Sequence, residues 1–151
     1  MLLRPALMSD IPVLLHMEQE LVEAERPFDA DIRPSGATYY DFDDLVQSDL
    51  ACVLMIEDES GELVGTGYVQ IRDSKPAHKH DRHGYLGCMY VAPSQRGKGL
   101  ITTLIDKLTQ WSKEQGVTDF YLDVYDGNNP AIRAYEKLGF QPCLVEMKLN
   151  L

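Results

Sequence analysis

The segment Val91-Ala92-Pro93-Ser94-Gln95-Arg96-Gly97-Lys98-Gly99-Leu100 holds the residue types whose spacing speaks most directly of chemistry. It joins an apolar run that reads as a strand to a strongly periodic helix. Glycine lets backbone approach a ligand with no Cβ in the way, and a first helical turn offers N–H groups without intrahelical acceptors at the positive end of the helix dipole. This is a phosphate-binding arrangement, in which backbone amides give direction and Arg96 and Lys98 add charge. Two nucleotide motifs with similar letters do not fit. A Walker A loop needs Ser or Thr after its Gly-Lys pair, where this chain has Gly99. Gly65-Thr66-Gly67 lacks the third glycine and the strand-to-helix setting of a dinucleotide fingerprint.

A second stretch runs Asn128-Asn129-Pro130-Ala131-Ile132-Arg133-Ala134-Tyr135-Glu136-Lys137-Leu138-Gly139-Phe140. With the first, it resembles the GCN5-related N-acetyltransferase (GNAT) superfamily. The family's pyrophosphate motif, Arg or Gln followed by x-x-Gly-x-Gly or Ala, begins here at Arg96 and ends on Ile101 in place of the small residue. The family's Asn-x-x-Ala-x-x-x-Tyr-x-x-x-Gly-Phe segment matches from Asn128 to Phe140. The resemblance implies an acetyl-coenzyme A-dependent N-acetyltransferase with an amine acceptor. By that resemblance, main-chain groups of Met89, Tyr90 and Val91 hold the pantetheine arm, and Arg96, Gly97, Lys98, Gly99 and Ile101 surround the pyrophosphate. Asn128 contacts the cofactor or fixes its loop, and Tyr135 stands beside the sulfur and donates a proton to the departing thiolate. The Ile101 side chain either crowds the pyrophosphate or turns into the core.

One family feature is missing: many relatives carry a glutamate on the strand before the pyrophosphate loop, and Tyr85 to Val91 contains no carboxylate. Asp123, on the neighbouring strand and the face shared with Tyr121 and Tyr125, is the candidate proton acceptor. Glu23 and Glu25 are carboxylates for the acceptor side. Phe28, Tyr39, Tyr40 and Phe42 fall where such enzymes build acceptor-binding walls, and equally suit packing of a helix on the sheet. The missing glutamate also keeps open a different class, a non-catalytic acyl-coenzyme A sensor or protein-interaction module.

The elements that must position these residues follow from periodicity. Leu2 to Leu7 reads as an edge strand, and a helix from about Asp10 to Ala24 places Ile11, Leu14, Leu15, Met17, Leu21 and Val22 inward with Glu18, Glu20 and Glu23 largely elsewhere. A second helix is expected near Tyr39 to Ser48, with Thr38 and Asp41 at its start. Strands follow at 51–57, 62–72 and 85–91. Leu100, Leu104, Ile105, Leu108 and Trp111 mark a helix ending near Gly116; Phe120, Leu122 and Val124 alternate on a strand over 119–125; a helix spans Asn128 to Leu138. A final strand is expected around Cys143 to Leu149. The order predicts an α/β fold: a single mixed-sheet acyl-coenzyme A N-acyltransferase domain over 1–151, with helices on both faces and an opening between the strands 85–91 and 119–125.

Charge divides unevenly. Residues 1–60 carry fourteen acidic and three basic residues, a net −11, whereas residues 61–151 are near neutral. Acidity of this size disfavours nucleic acid and anionic membrane as partners, and favours an amine-bearing small molecule or peptide with cationic character. No window is long and apolar enough to span a bilayer, so the expected setting is cytoplasmic. Cys52, Cys88 and Cys143 have no paired spacing and read as buried small apolar residues. His78, His80 and His83 cluster in a charged loop that reads as solvent-facing and not as a metal site; His83 is the better acid–base candidate of the three. A homodimer is implied by the resemblance alone.

Overall fold

The computed structural model describes residues 1–151. Strands β1 (Leu2–Pro5), β2 (Ala51–Glu57), β3 (Leu63–Asp73), β4 (Arg82–Val91) and β5 (Phe120–Tyr121) form a five-stranded sheet in that order. The first four pair antiparallel, and β4 and β5 pair parallel. Helices α1 (Ile11–Glu25) and α2 (Phe42–Gln47) precede β2, α3 (Leu100–Glu114) links β4 to β5, and α4 (Asn129–Lys137) follows β5.

Both faces of the sheet are covered because its strands are apolar on both sides. On β2, Val53 and Met55 pack against Leu14 and Met17 of α1 and Phe42 and Leu45 of α2, while Leu54 and Ile56 point the other way onto Leu100, Leu104 and Leu108 of α3. That is the two-residue alternation of a strand serving two cores at once. The N-terminal edge is clamped by Arg4, which pairs with Asp10 at 2.7 Å and Glu57 at 2.9 Å.

Several elements differ from the periodicity reading. Helix α2 is shorter than expected because Asp41, not Thr38, caps it: the Asp41 carboxylate accepts from the Asp44 N–H at 3.1 Å. Leu15, expected inward, is exposed, whereas Glu18, placed on the outer face of α1 by its charge, is fully buried. Its Oε2 accepts from the N–H groups of Tyr39 and Tyr40 at 2.7 and 2.9 Å, so the carboxylate replaces missing main-chain partners in the segment before α2. Strand β5 is two residues long, and the final strand expected at 143–149 is absent, with residues 141–151 in no regular structure. Of the cysteines only Cys88 is buried; Cys52 is partly covered and Cys143 is exposed, since the segment carrying it packs on nothing.

Candidate active site

Strand β4 carries the local distortion on which the site is built. Thr66 pairs with Tyr90 and Tyr68 pairs with Gly87, so Gly67 stands opposite two residues, Cys88 and Met89. This is a β-bulge, and Cys88 adopts φ 52°, a left-handed conformation rare for a residue with a side chain. A Cβ on Gly67 would sit 2.7 Å from the Met89 sulfur, so glycine here leaves room for the Met89 side chain across the ladder. The extra residue reverses the alternation: Tyr85, Cys88 and Tyr90 face α1 and α2, while Leu86, Met89 and Val91 face α3. The Tyr40 hydroxyl accepts the bulge's Cys88 N–H at 3.2 Å, joining the loop before α2 to the strand.

Past Tyr85 the sheet opens. Strands β4 and β5 pair only at Gly84 with Phe120 and Tyr85 with Tyr121, and then part. Val91 leads through a single 3-10 turn, Pro93–Gln95, to Arg96, whose guanidinium turns back and donates to the Val91 carbonyl at 3.0 Å. Gly97 and Gly99 both take positive φ, 81° and 74°. A Cβ there would meet nothing within 4 Å, so glycine is required by backbone conformation and not by crowding. The first bond of the helix runs from Thr103 to the Gly99 carbonyl at 3.1 Å, and the six N–H groups from Gly97 to Thr102 have no protein acceptor. Ile101 packs against the α3-side core, so its side chain leaves this row of donors clear. Lys98 hydrogen-bonds Gln95 at 2.8 Å. A glycine turn opening a helix N-terminus with six free donors fits a pyrophosphate, the group that acetyl-coenzyme A would place there.

Across the opening stand the residues of the second motif. Asn128 occupies the N-cap position of α4 without making a side-chain capping bond, so its amide is uncommitted. Tyr135 is half-buried, packs edge-on against Phe140 at 5.9 Å between ring centres, and makes no hydrogen bond through its hydroxyl. Burial, with a smaller contribution from the charge of Glu25, holds its phenol above the ordinary tyrosine range, so it is protonated at neutral pH.

The third side is acidic and aromatic. Glu25 ends α1, and burial raises its carboxyl above the usual range, opposed by the nearby Tyr39 hydroxyl. The Tyr39 hydroxyl is buried and closes no well-shaped hydrogen bond. The Tyr125 hydroxyl donates to Asp29 at 2.9 Å while its ring stacks on Phe28 at 6.5 Å, fastening the loop after α1 to the chain beyond β5. Tyr39 and Tyr125 line a groove with Asp29 and Asp31, and Tyr39 and Tyr40 line a second with Tyr68 and Asp44. The aromatic residues thus do both things the sequence left open: Phe42 packs in the core while Tyr39, Tyr40 and Phe28 border open space. Asp123 is exposed at the side of the opening, where its Oδ2 accepts from the Tyr85 hydroxyl at 2.8 Å.

The histidines lie elsewhere. His80 and His83 share the Ser74 hydroxyl at 2.6 and 2.9 Å, and His80 reaches the Tyr121 hydroxyl at 2.9 Å, so the loop is pinned to the sheet. His83 is at the start of β4, eight residues and therefore about 26 Å before Val91. Burial and the neighbouring His80 keep it below the ordinary histidine range. Glu18 is the residue of this region that charge patterning missed; the only hint was its position one residue from Met17 on the inward side of α1.

The family model of the acetyltransferase (GNAT) family matches residues 17–140. A tetramutant of a Bacillus halodurans protein superposes with a TM-score of 0.88 at 25% identity, over 100% of both chains. A predicted acetyltransferase from Clostridium acetobutylicum, solved with acetyl-coenzyme A, superposes with a TM-score of 0.76 at 25% identity over 99% of this chain and 95% of that one. Among curated proteins, the thialysine N-epsilon-acetyltransferase of Mus musculus is 38% identical over 60 residues, 40% of this chain and 35% of its own length. The matches span 25% to 35% of the first curated relatives.

Proposed function

This chain belongs to the acetyltransferase (GNAT) family, an acetyl-coenzyme A-dependent class of transferase, and we propose that it moves the acetyl group to a primary amine on a cationic small molecule or peptide. The observation that carries this reading is the row of six unpaired N–H groups from Gly97 to Thr102 at the mouth of two parting strands. Bound there, the cofactor supplies an activated thioester and a thiol leaving group. Arg96 buttresses the turn through the Val91 carbonyl, while Lys98 adds positive charge beside it. Main-chain groups of Met89, Tyr90 and Val91 border the opening where the pantetheine arm would run, and Asn128 has a free amide on the far side.

The chain's own residues then manage protons. An amine attacks only as the free base, so a carboxylate must take its proton. We assign that task to Glu25, with Asp123 as the second candidate. Glu25 is half-buried among Tyr39, Tyr125 and Tyr135, close enough to Tyr135 for its charge to act there, whereas Asp123 is exposed and already accepts from Tyr85. Tyr135 holds a proton at its hydroxyl, free of any competing bond, for the departing sulfur.

The acceptor's charge is read from the surface it would meet. Asp29 and Asp31 line one groove and Asp41 and Asp44 the other, all within a stretch of net −11, beside one arginine in each, Arg33 and Arg72. The named substrate of one relative, thialysine acetylated at its ε nitrogen, is an amine of the same chemical kind. A cytoplasmic setting belongs to the same proposal; no helix is long and apolar enough to cross a membrane. The test is a thermal-shift comparison of acetyl-coenzyme A, ATP and NAD, followed by mass spectrometry of amines incubated with acetyl-coenzyme A. Selective stabilisation by acetyl-coenzyme A and a +42 Da product, the mass of an acetyl group replacing a proton (about 42 Da), are expected. Equal shifts for all three would remove the pyrophosphate assignment.

A further inference from the structure

Arg72 is held in place yet left without a counter-charge. Tyr68, Gln70 and Arg72 alternate along β3 and so share one face, the face on which Tyr68 packs with Phe42 and Leu45 of α2. The Arg72 guanidinium lies over the Tyr85 ring at 4.0 Å, and its Nε donates to Gln70 Oε1 at 2.8 Å. Those two contacts orient the fork, while its Nη groups donate to no protein atom and no carboxylate forms an ion pair with it. In a chain of net charge −10, an oriented guanidinium without an acidic partner calls for an explanation. Arg33, beside the other groove, has no such support: its side chain makes neither a hydrogen bond nor an aromatic contact.

The groove that Arg72 lines holds about 160 Å³. That is below the roughly 300–1,000 Å³ of pockets for drug-sized ligands, and suits the head of a small molecule. Its other wall is α2 with its cap, which brings Asp41 and Asp44. Asp41 is committed to the Asp44 N–H, whereas the Asp44 carboxylate pairs with no cation. Charges of both signs therefore border one small space without neutralising each other. A purely cationic ligand would leave Arg72 uncompensated and be repelled by it. A head bearing a carboxylate and an ammonium side by side would satisfy both walls. The planar fork matches a carboxylate through two parallel N–H bonds, and the Gln70 amide nitrogen is free to add a third.

This groove adjoins the opening. Tyr85 offers its ring to Arg72 and its hydroxyl to Asp123, so one side chain holds both. The strands part just past Tyr85, and the bulge at Cys88 stands three residues, about 10 Å, farther along β4. A molecule anchored at Arg72 must carry its reacting amine several bonds from the anchored group.

We propose that Arg72, with Gln70, binds a carboxylate of the acceptor, which makes the substrate class an α-amino acid with a second amine on its side chain. The carboxylate meets the guanidinium, the α-ammonium faces Asp44, and the side-chain amine extends into the opening. This rests on the acetyl transfer to a cationic amine proposed above, and narrows it to an acceptor that is zwitterionic at one end. Arg72 is then a specificity residue, because a diamine of the same length leaves its fork unpaired.

The test compares lysine and ornithine with their α-amides and with cadaverine and putrescine, the diamines left when the carboxyl group is removed. In the parent, kcat/KM should be at least about tenfold higher for the amino acids than for the diamines, chiefly through KM. Tandem mass spectrometry should place the acetyl group on the side-chain nitrogen. Arg72→Gln should move the two classes in opposite directions, down for the amino acids and up for the diamines, since it removes an attraction from one and a repulsion from the other. Lost folding or lost catalysis would lower both. Arg72→Lys, which restores the charge without the fork, should recover part of the amino acids' advantage. Equal kcat/KM for amino acids and diamines in the parent, a parallel fall of both in Arg72→Gln, or acetyl on the α-nitrogen overturns the proposal and leaves acetyl transfer to amines standing. Product from none of the six acceptors overturns it as well; if the thermal shift with acetyl-coenzyme A is also missing, the reading beneath it falls too.

Discussion

The hydroxyl of Tyr135 and the carboxyl of Glu25 are pushed toward their protonated forms by the same cause, loss of water, and the charge of Glu25 adds to the effect on Tyr135. That coupling lets the two roles be separated by experiment. Tyr135→Phe keeps the ring against Phe140 and removes only the proton, so turnover should fall by about 100-fold while the dissociation constant of acetyl-coenzyme A changes little. Equal turnover would leave Tyr135 as packing. Glu25 must be ionised to accept a proton, and its folded pKa lies above the ordinary carboxylate value. The rate should therefore rise with pH through that raised value, and Glu25→Gln should abolish this limb. The stability sign runs the other way. Because the folded state holds this proton more tightly than the unfolded chain, stability contributed by the neutral acid is present below the unfolded pKa and is lost as pH rises through the folded one. Glu25→Gln is accordingly expected to melt no lower than the parent at neutral pH, which separates lost chemistry from lost folding. If Asp123→Asn removes the limb instead, the assignment passes to Asp123.

At the scale of elements, the glycine turn and α3 were legible because they rest on local rules. Positive φ at Gly97 and Gly99 and the spacing of Leu100, Leu104 and Leu108 are written in consecutive residues. Gly99→Val forces a β-branched residue to φ 74°, with a cost of about 1–3 kcal/mol, and should weaken acetyl-coenzyme A by tenfold or more. A paired measurement on Asp41→Ala, which removes the α2 cap at a cost of about 1 kcal/mol, should lower the melting temperature and leave cofactor affinity unchanged. If both variants lose affinity equally, fold stability and not the turn is being read. What sequence could not supply was every feature set by distant partners. The bulge at Cys88 and Met89 lies opposite Gly67 across the ladder, and strict alternation would have put Met89 on the face of Tyr85. Glu18 is buried because Tyr39 and Tyr40, about twenty residues later, present two N–H groups to it. Residues 143–149 have the pattern of a strand, but alternation alone supplies no pairing partner, and the segment lies outside the sheet.

Over the whole molecule, the separation of charge along the chain becomes a separation in space. The acidic first part supplies α1, α2 and the loop between them, hence most of the lining of both grooves, whereas the glycine turn carries Arg96 and Lys98. An anionic cofactor and a cationic acceptor would therefore approach opposite sides of the opening, each toward the charge it prefers. Single exposed pairs contribute only about 0.2–1 kcal/mol, so the acidic side acts through its sum and through the rate of encounter. Salt shortens the reach of that field to about 10 Å at 0.1 M. Among polyamines, aminoglycosides, basic peptides, neutral peptides and acidic amino acids, kcat/KM should be highest for acceptors with a second cationic group. It should fall several-fold between low and moderate salt for those acceptors and stay nearly constant for neutral ones. Coenzyme A release, with mass spectrometry of the products, measures both. Asp29→Asn together with Asp31→Asn should reduce the preference for cationic acceptors while leaving the thermal shift with acetyl-coenzyme A in place, because these carboxylates lie on the acceptor loop and not at the glycine turn. Indifference to acceptor charge at both salt concentrations, or a preference for acidic amino acids, would mean that the acidic side serves solubility and that the acceptor is chosen by shape.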